Sequence, residues 1–301
     1  MKKHDWPELN FQQIQPTLET LHQWLQIVGK IRLRTMPWQN HSWHVALYVG
    51  PSGFSTQGIP FQGRNFQIDF DFQDHSLRIL CSGKTEREMP LEAMTVAQFY
   101  EKLFSALRDL GFDIEIHGSP NEMEPAIPFA TNTVNKDYDS SAAEAIWKAM
   151  SRANEVFYRF RSDYLGKVSP VHLFWGAFDL AVTRFSGRAA PLHQGGMPNM
   201  PLEVMQEAYS QEVSSAGFWP GSKDFPYPAF YAYAYPTAEG FADQPVEPAE
   251  DFYSPEMGEF FLKYEDLIGK EDPDQALMAF LQSTYAAAAN TANWDRDRLE
   301  R

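Results

Sequence analysis

Phe66, Ile68, Phe70 and Phe72 alternate with Gln67, Asp69 and Asp71 in RNFQIDFDF. A two-residue period sends the apolar set to one side of an extended chain, which predicts a half-buried antiparallel strand. KIRLRT, WHVALYV and HSLRILCS are also rich in branched and aromatic residues, and Pro, Gly, Asn or Asp separates them. They predict further strands. Helical spacing holds on either side of this group. Leu18, Leu21, Leu25 and Val28 share a face in LNFQQIQPTLETLHQWLQIVGK, with Gly29 as the stop. TVAQFYEKLFSALRDLG predicts a second helix, capped by Thr95 and ended by Gly111.

Residues 118–139 are rich in Pro, Asn and acids and predict a linker. The pattern then starts again. SSAAEAIWKAMSRANEVFYRFRSDYLGK predicts a long helix ending in Gly166-Lys167, as the first ends in Gly29-Lys30. Strands are expected at KVSPVHLF, AFDLAVTRF, YSQEVSSAGFW and PAFYAYAYP, and helices at 255–268 and 272–291. LYVGPSGFSTQGIP (47–60) also echoes LAVTRFSGRAAP (180–191). The expectation is an α+β protein of two similar halves, 1–117 and 140–301, each an antiparallel sheet with flanking helices. Internal duplication stands against chance, because this element order is common.

Within SPVHLFWGAFDLAVTRFSGR (169–188), Ser169-Pro170 could cap a helix on which His172 and Asp179 share a face. Val171, Val182, Thr183 and the phenylalanines favour strands instead. We take two strands, across which His172 and Asp179 can still meet.

Composition narrows the function classes. Apolar residues make up 44% and aromatics 15%, ample for a core with rings left over for a groove. A net charge of −15 without a basic stripe disfavours nucleic acid and anionic membranes. The N-terminal MKKHDWPELNFQQIQ lacks the apolar run of a signal peptide, and no stretch approaches a membrane span. A soluble, cytoplasmic protein is expected. Cys81 is the single cysteine, which excludes an intrachain disulfide and a Cys-based zinc site.

Ionisable residues in apolar runs are the candidate chemistry. His172 could act as acid/base, oriented by Asp179, with Arg184 or Arg188 fixing an anionic group. The structural alternative is a buried ion pair of Asp179 with either arginine, and a histidine bonded to backbone. Glu212 could join His172 and His44 as two histidines and a carboxylate around a divalent metal, which requires three segments to meet. His41 and His44 lie three apart on an expected strand, so they point to opposite faces and make no clamp. Asp69 and Asp71 read as a solvated face.

In PAFYAYAYP, Phe230 is out of phase with Tyr231, Tyr233 and Tyr235. Such a tyrosine row suits a stacking floor for a flat or sugar-like ligand, a core strand or a dimer face. The nucleophile elbow G-x-S-x-G is missing, and the glycine-rich 186–201 stretch matches no phosphate-binding loop.

As a set, QIVGKIRL, NHSWHV, FQIDFDF, SPVHLFWGAFDLAVTRFSGR, SQEVSSAGFWPG and PAFYAYAYP resemble a bacterial protein family of unknown function with members of about this length. The resemblance covers nearly the whole chain. It implies one full-length unit and carries no activity, cofactor or catalytic residue. The functional expectation is a small-molecule binder with a cleft between its halves. Trp175, Trp219, Tyr231 and Tyr233 would be walls, with Arg184 and Arg188 as anchors. The alternatives are a hydrolase using His172 with Asp179 or Glu212, and a homodimeric interaction protein.

Overall fold

Helix α1 (Phe11–Thr35) starts where the Asn10 side chain accepts a hydrogen bond from the Gln13 amide. In the computed structural model, which describes residues 6–83 and 85–301, this helix runs well past Gly29. The expected stop at Gly29 and the expected strand KIRLRT are therefore corrected. A Cβ at position 29 would overlap the Trp175 indole, so glycine serves close packing here and not chain termination. Ile31 is fully buried, and the Arg32 guanidinium donates to the carbonyls of His44 and Thr56. Those contacts anchor the last turns.

The first sheet holds β1 (Tyr48–Val49), β2 (Gly53–Ser55), β3 (Ile59–Phe61), β4 (Arg64–Asp71), β5 (Ser76–Cys81) and β6 (Thr85–Pro90). All pairings are antiparallel, in the order β1-β2-β4-β5-β6, and β3 also pairs with β4. On β4, Phe66, Ile68 and Phe70 are buried, as the alternation requires. WHVALYV supplies less strand than expected. A 3-10 turn occupies Asn40–Ser42, and the strand is only Tyr48–Val49. Helix α2 (Val96–Asp109) follows, with Thr95 and Gln98 forming a reciprocal capping box. Helix α3 (Ser140–Ser162) is capped by Asp139.

The second sheet holds β7 (His172–Phe174), β8 (Asp179–Ala189), β9 (Gln211–Trp219), β10 (Ala229–Tyr235), β11 (Phe252–Ser254) and β12 (Glu259–Lys263). Its order is β11-β12-β10-β9-β8-β7, again antiparallel. The ambiguous 169–188 stretch is thus the β7–β8 hairpin. Helix α4 (Leu202–Ala208) lies between β8 and β9. The helix expected at 255–268 is instead a hairpin turn, β12 and the short α5 (Tyr264–Ile268). Gly258, at φ 74, donates to Ser254 and closes the turn. The chain ends with α6 (Pro273–Thr291) and α7 (Arg296–Leu299).

The two sheets meet edge to edge, where Leu47 and Leu173 exchange both backbone hydrogen bonds. One face of the second sheet, with Leu180, Val182, Phe218, Phe230, Phe260 and Leu262, joins a contiguous core that reaches from Trp6 to Leu299. Helices α3 and α6 pack against that face. Residues 118–139 are irregular, yet Phe129 and Asn132 are fully buried. Helix, six strands, helix does occur twice, but the quoted echoes take different forms. Residues 47–60 contain the β1–β2 hairpin, whereas 180–191 lie almost wholly in the single strand β8. Among the described residues no helix is long and apolar enough to cross a membrane.

Gly29→Ala separates packing from propensity. Helix propensity alone would favour alanine by about 1 kcal/mol. The Trp175 indole is buried and donates to Val45, so it has little room to yield. We expect a net loss of about 2 kcal/mol in a denaturant titration. A gain in stability would show that the helix and the indole are not in close contact.

Candidate functional site

The face of the second sheet turned away from the core carries most of the polar chemistry. Register defines it. His172 pairs with Ala181, Ala181 with Gly217, Gly217 with Tyr231, and Tyr231 with Phe261. Directly paired residues share a face. The next row places Thr183, Ser215 and Tyr233 side by side. Phe174 pairs with Asp179 in the row on the other side. Ala229, Tyr231 and Phe261 form an apolar cluster apart from the main core, with Trp219, Phe225 and Tyr233 against it.

Small residues shape this surface. A Cβ on Gly217 would strike the Tyr231 ring, which lies across the glycine and donates its hydroxyl to the Asp179 carboxylate. Tyr231 and Tyr233 stack at 6.2 Å with 15° between planes. The Tyr233 and Tyr209 hydroxyls are 2.9 Å apart, and Thr183 meets Ser215 at 2.8 Å.

Two more carboxyls feel the Asp179 charge. Glu259 begins β12, and Glu122 comes from the segment between the two sheets. Burial and the Asp179 charge push Glu122 up to about 7 and Glu259 up to about 8. Burial pushes Asp179 itself up to about 6, against the hydrogen bond from Tyr231. Burial also raises Tyr209, Tyr231 and Tyr233, so all three keep their protons at neutral pH. No ion pair involves any of the three carboxyls among the described residues.

Helix α1 holds Glu122 in place from behind. Gln26 donates to the carbonyls of Asn121 and Gly176 and accepts from the Asn121 amide. His22 donates Nε2–H to the Trp175 and Gly176 carbonyls at 3.0 and 2.8 Å. Lys30 donates to the Asn121 side chain. A Cβ on Gly176 would collide with the Glu122 carboxyl, so glycine there admits the acid.

Of the residues singled out from sequence, Asp179, Tyr231, Tyr233 and Trp219 lie on this face, and His172 shares it by register. His172 is buried. Its Nδ1 is 2.7 Å from the Pro170 carbonyl, and its Nε2 has no partner. Burial pushes it down to about 4.

Arg184 is on the opposite face. Its guanidinium packs on the Phe160 and Tyr285 rings at 3.5 and 4.4 Å and donates to the Phe160 carbonyl. Arg188 pairs with Glu212 at 2.6 Å and donates to the Ala292 and Asn293 carbonyls at the end of α6. Asp179 therefore pairs with neither arginine, and Glu212 is held away from Asp179. Trp175 is buried against α1 and donates to the Val45 carbonyl. His44 is buried against Trp38, and its Nδ1 accepts from the Gln39 amide. His41, expected in a strand, sits in the 3-10 turn at φ 56 and is also buried.

Glu122, Glu259 and Tyr209 were missed, because each fell in a stretch read as linker, as helix or at a strand end. Among the described residues no three His, Cys, Asp or Glu side chains are grouped to hold a metal ion.

The raised carboxyls set a pH dependence. The folded state holds protons on Glu122 and Glu259 up to about 7 and about 8, where the unfolded chain has released them. Folding therefore binds protons, and this contribution to stability is lost as pH rises through that window. Glu259→Gln removes part of it. We expect urea midpoints to fall less between pH 6.5 and 8 in Glu259→Gln than in the unaltered protein. Equal falls would mean that Glu259 titrates as an ordinary surface acid.

No curated protein and no solved structure matches the chain. One family model does, over residues 6–301, and the chain belongs to that family of unknown function, DUF5996.

Proposed function

We propose that this is a soluble, cytoplasmic small-molecule-binding protein whose binding surface is the outer face of the second sheet. One observation carries the reading. Asp179, on the face with the stacked tyrosines, sends its charge to Glu122 and Glu259 from two other segments, and among the described residues none of the three carboxyls is in an ion pair. Gathering like charges costs folding energy, so this arrangement suits an outside partner better than a purely structural role. The Tyr231 ring fills the space over Gly217 and so reaches Asp179, with the small Ala181 beside the glycine. The surface draws on the second sheet and the connecting segment and not on residues 1–117.

A hydrolytic reading has one observation in its favour. Asp179 at about 6 and Glu122 at about 7 could exchange protons near neutrality. It would use these two acids in place of His172 with Glu212.

The binding reading is tested by ligand-observed NMR with phenol, benzoate, benzylamine and methyl glucoside. At least one compound should bind the unaltered protein, lose binding in Tyr231→Ala, and raise the melting temperature by mass action. If Tyr231→Ala leaves every interaction unchanged, this face is not the binding surface.

A further inference from the structure

We propose that Lys167 is a nucleophilic amine, poised by His41 and Gln211 to form an imine with a small uncharged aldehyde. The inference goes beyond the binding reading above and does not depend on it, because it uses none of Asp179, Glu122, Glu259 or Tyr231.

Register places the amine. Residues 167–169 run antiparallel to β8. The Phe185 amide donates to the Lys167 carbonyl, the Ser169 amide donates to Thr183, and Val168 bridges Arg184. Arg184 turns to the core side, so Lys167 and Phe185 lie on the other side. The Lys167 Nζ stands 4.7 Å from the Phe185 ring centre and 5.6 Å from that of Trp43. The lysine is half-buried, so a small molecule can reach it.

Two neutral acceptors meet this nitrogen. His41 donates Nδ1–H to the Ala208 carbonyl at 2.9 Å, so its Nε2 is a lone pair, 2.6 Å from Nζ. The Gln211 side-chain oxygen accepts from Nζ at 3.3 Å. The chain has 40 acidic residues, yet among the described residues Lys167 pairs with no carboxylate. An unprotonated amine has two N–H bonds and one lone pair. Both N–H bonds have an acceptor here, which leaves the lone pair free to attack. An ammonium would carry a third N–H with no acceptor among the described residues.

The turn that carries His41 adds an independent observation. His41 and Ser42 both take left-handed conformations, at φ 56 and 58, which cost free energy in residues with a Cβ. His41 is buried, and its ring lies against Phe185 and Trp43. The strained turn thus seats the imidazole where Nε2 meets the amine. A lysine that only solvates a surface requires no such partner.

The surroundings favour the free base. Burial lowers the pKa of Lys167, which raises its unprotonated fraction near neutral pH. The two rings attract the ammonium form and oppose this in part. Burial also lowers His41, so it stays neutral there. Glu207 on α4 adjoins the Ala208 that His41 bonds, and it accepts from the Trp38 indole. Its charge disfavours an anionic carbonyl compound, whereas an uncharged one with an apolar body suits the rings.

The step balances without an oxidant or a reductant. The Lys167 lone pair attacks the carbonyl carbon, and a C–N bond forms as the C=O π bond opens. His41 Nε2 takes one N–H proton and returns it to the oxygen, giving a carbinolamine. The hydroxyl then leaves with the second N–H proton as water, and the C=N bond forms.

The test is reductive labelling of the full chain with dilute benzaldehyde and cyanoborohydride, which fixes an imine as a secondary amine, followed by peptide mass mapping. Near neutral pH we expect Lys167 to be labelled about tenfold faster than the exposed Lys136 and Lys223, and to reach its plateau at lower pH. His41→Asn keeps a residue suited to the left-handed backbone and removes the imidazole. It should slow labelling of Lys167 several-fold and move its pH profile upward, with thermal melts reporting folding. Gln211→Leu, which removes the other acceptor, replaces it if it does not fold. If Lys167 is labelled no faster than Lys136 and Lys223, or if the folded variant leaves its rate and pH profile unchanged, the inference fails and the binding reading is untouched.

Discussion

Buried backbone groups must be satisfied, and in this protein a polar stripe on α1 satisfies those that matter most. His22, Gln26 and Lys30 recur every four residues and so share one helix face. That face receives the carbonyls of Trp175 and Gly176 and the backbone and side chain of Asn121. The β7–β8 turn and the segment between the sheets are thereby locked to the same helix. Asp179 follows the first contact by three residues, and Glu122 adjoins the second. That stripe sets where Asp179 and Glu122 stand relative to one another.

The second sheet divides its duties by face. Leu180, Val182, Phe218 and Phe230 close the core under α3 and α6. Arg184 is the exception on that side. Three aromatic rings and a carbonyl make its burial tolerable. The other face keeps tyrosines, hydroxyls and acids beside alanine and glycine, a composition that packs poorly as core and well as a receptor for a partly polar ligand.

Some of this was legible in the chain. The tyrosine phase in PAFYAYAYP follows from the strand period, and Tyr231 and Tyr233 do share the outer face. Asp179 stood out because an acid in an apolar run needs a reason. Glu259 did not, since EFFLK buries both faces and periodicity cannot then separate strand from helix. Glu122 lay in a Pro-rich segment that resembles a spacer, and only its hydrogen bonds to α1 show otherwise. Gly29 misled for a related reason. A glycine that ends a helix and one that admits a neighbouring ring look identical in sequence.

The sequence by itself determined an α+β chain with antiparallel sheets, the absence of an intrachain disulfide and the inward or outward phase of each clear strand. These depend on residue periods of two and 3.6 and on residue counts, which are local properties. Tertiary structure alone decided that Gln26 ties the backbone of Asn121 to that of Gly176, and that the Asp179 charge reaches Glu122 and Glu259. Those outcomes depend on strand register and on which segments share one helix face, and no local pattern encodes a distance between residues more than fifty positions apart.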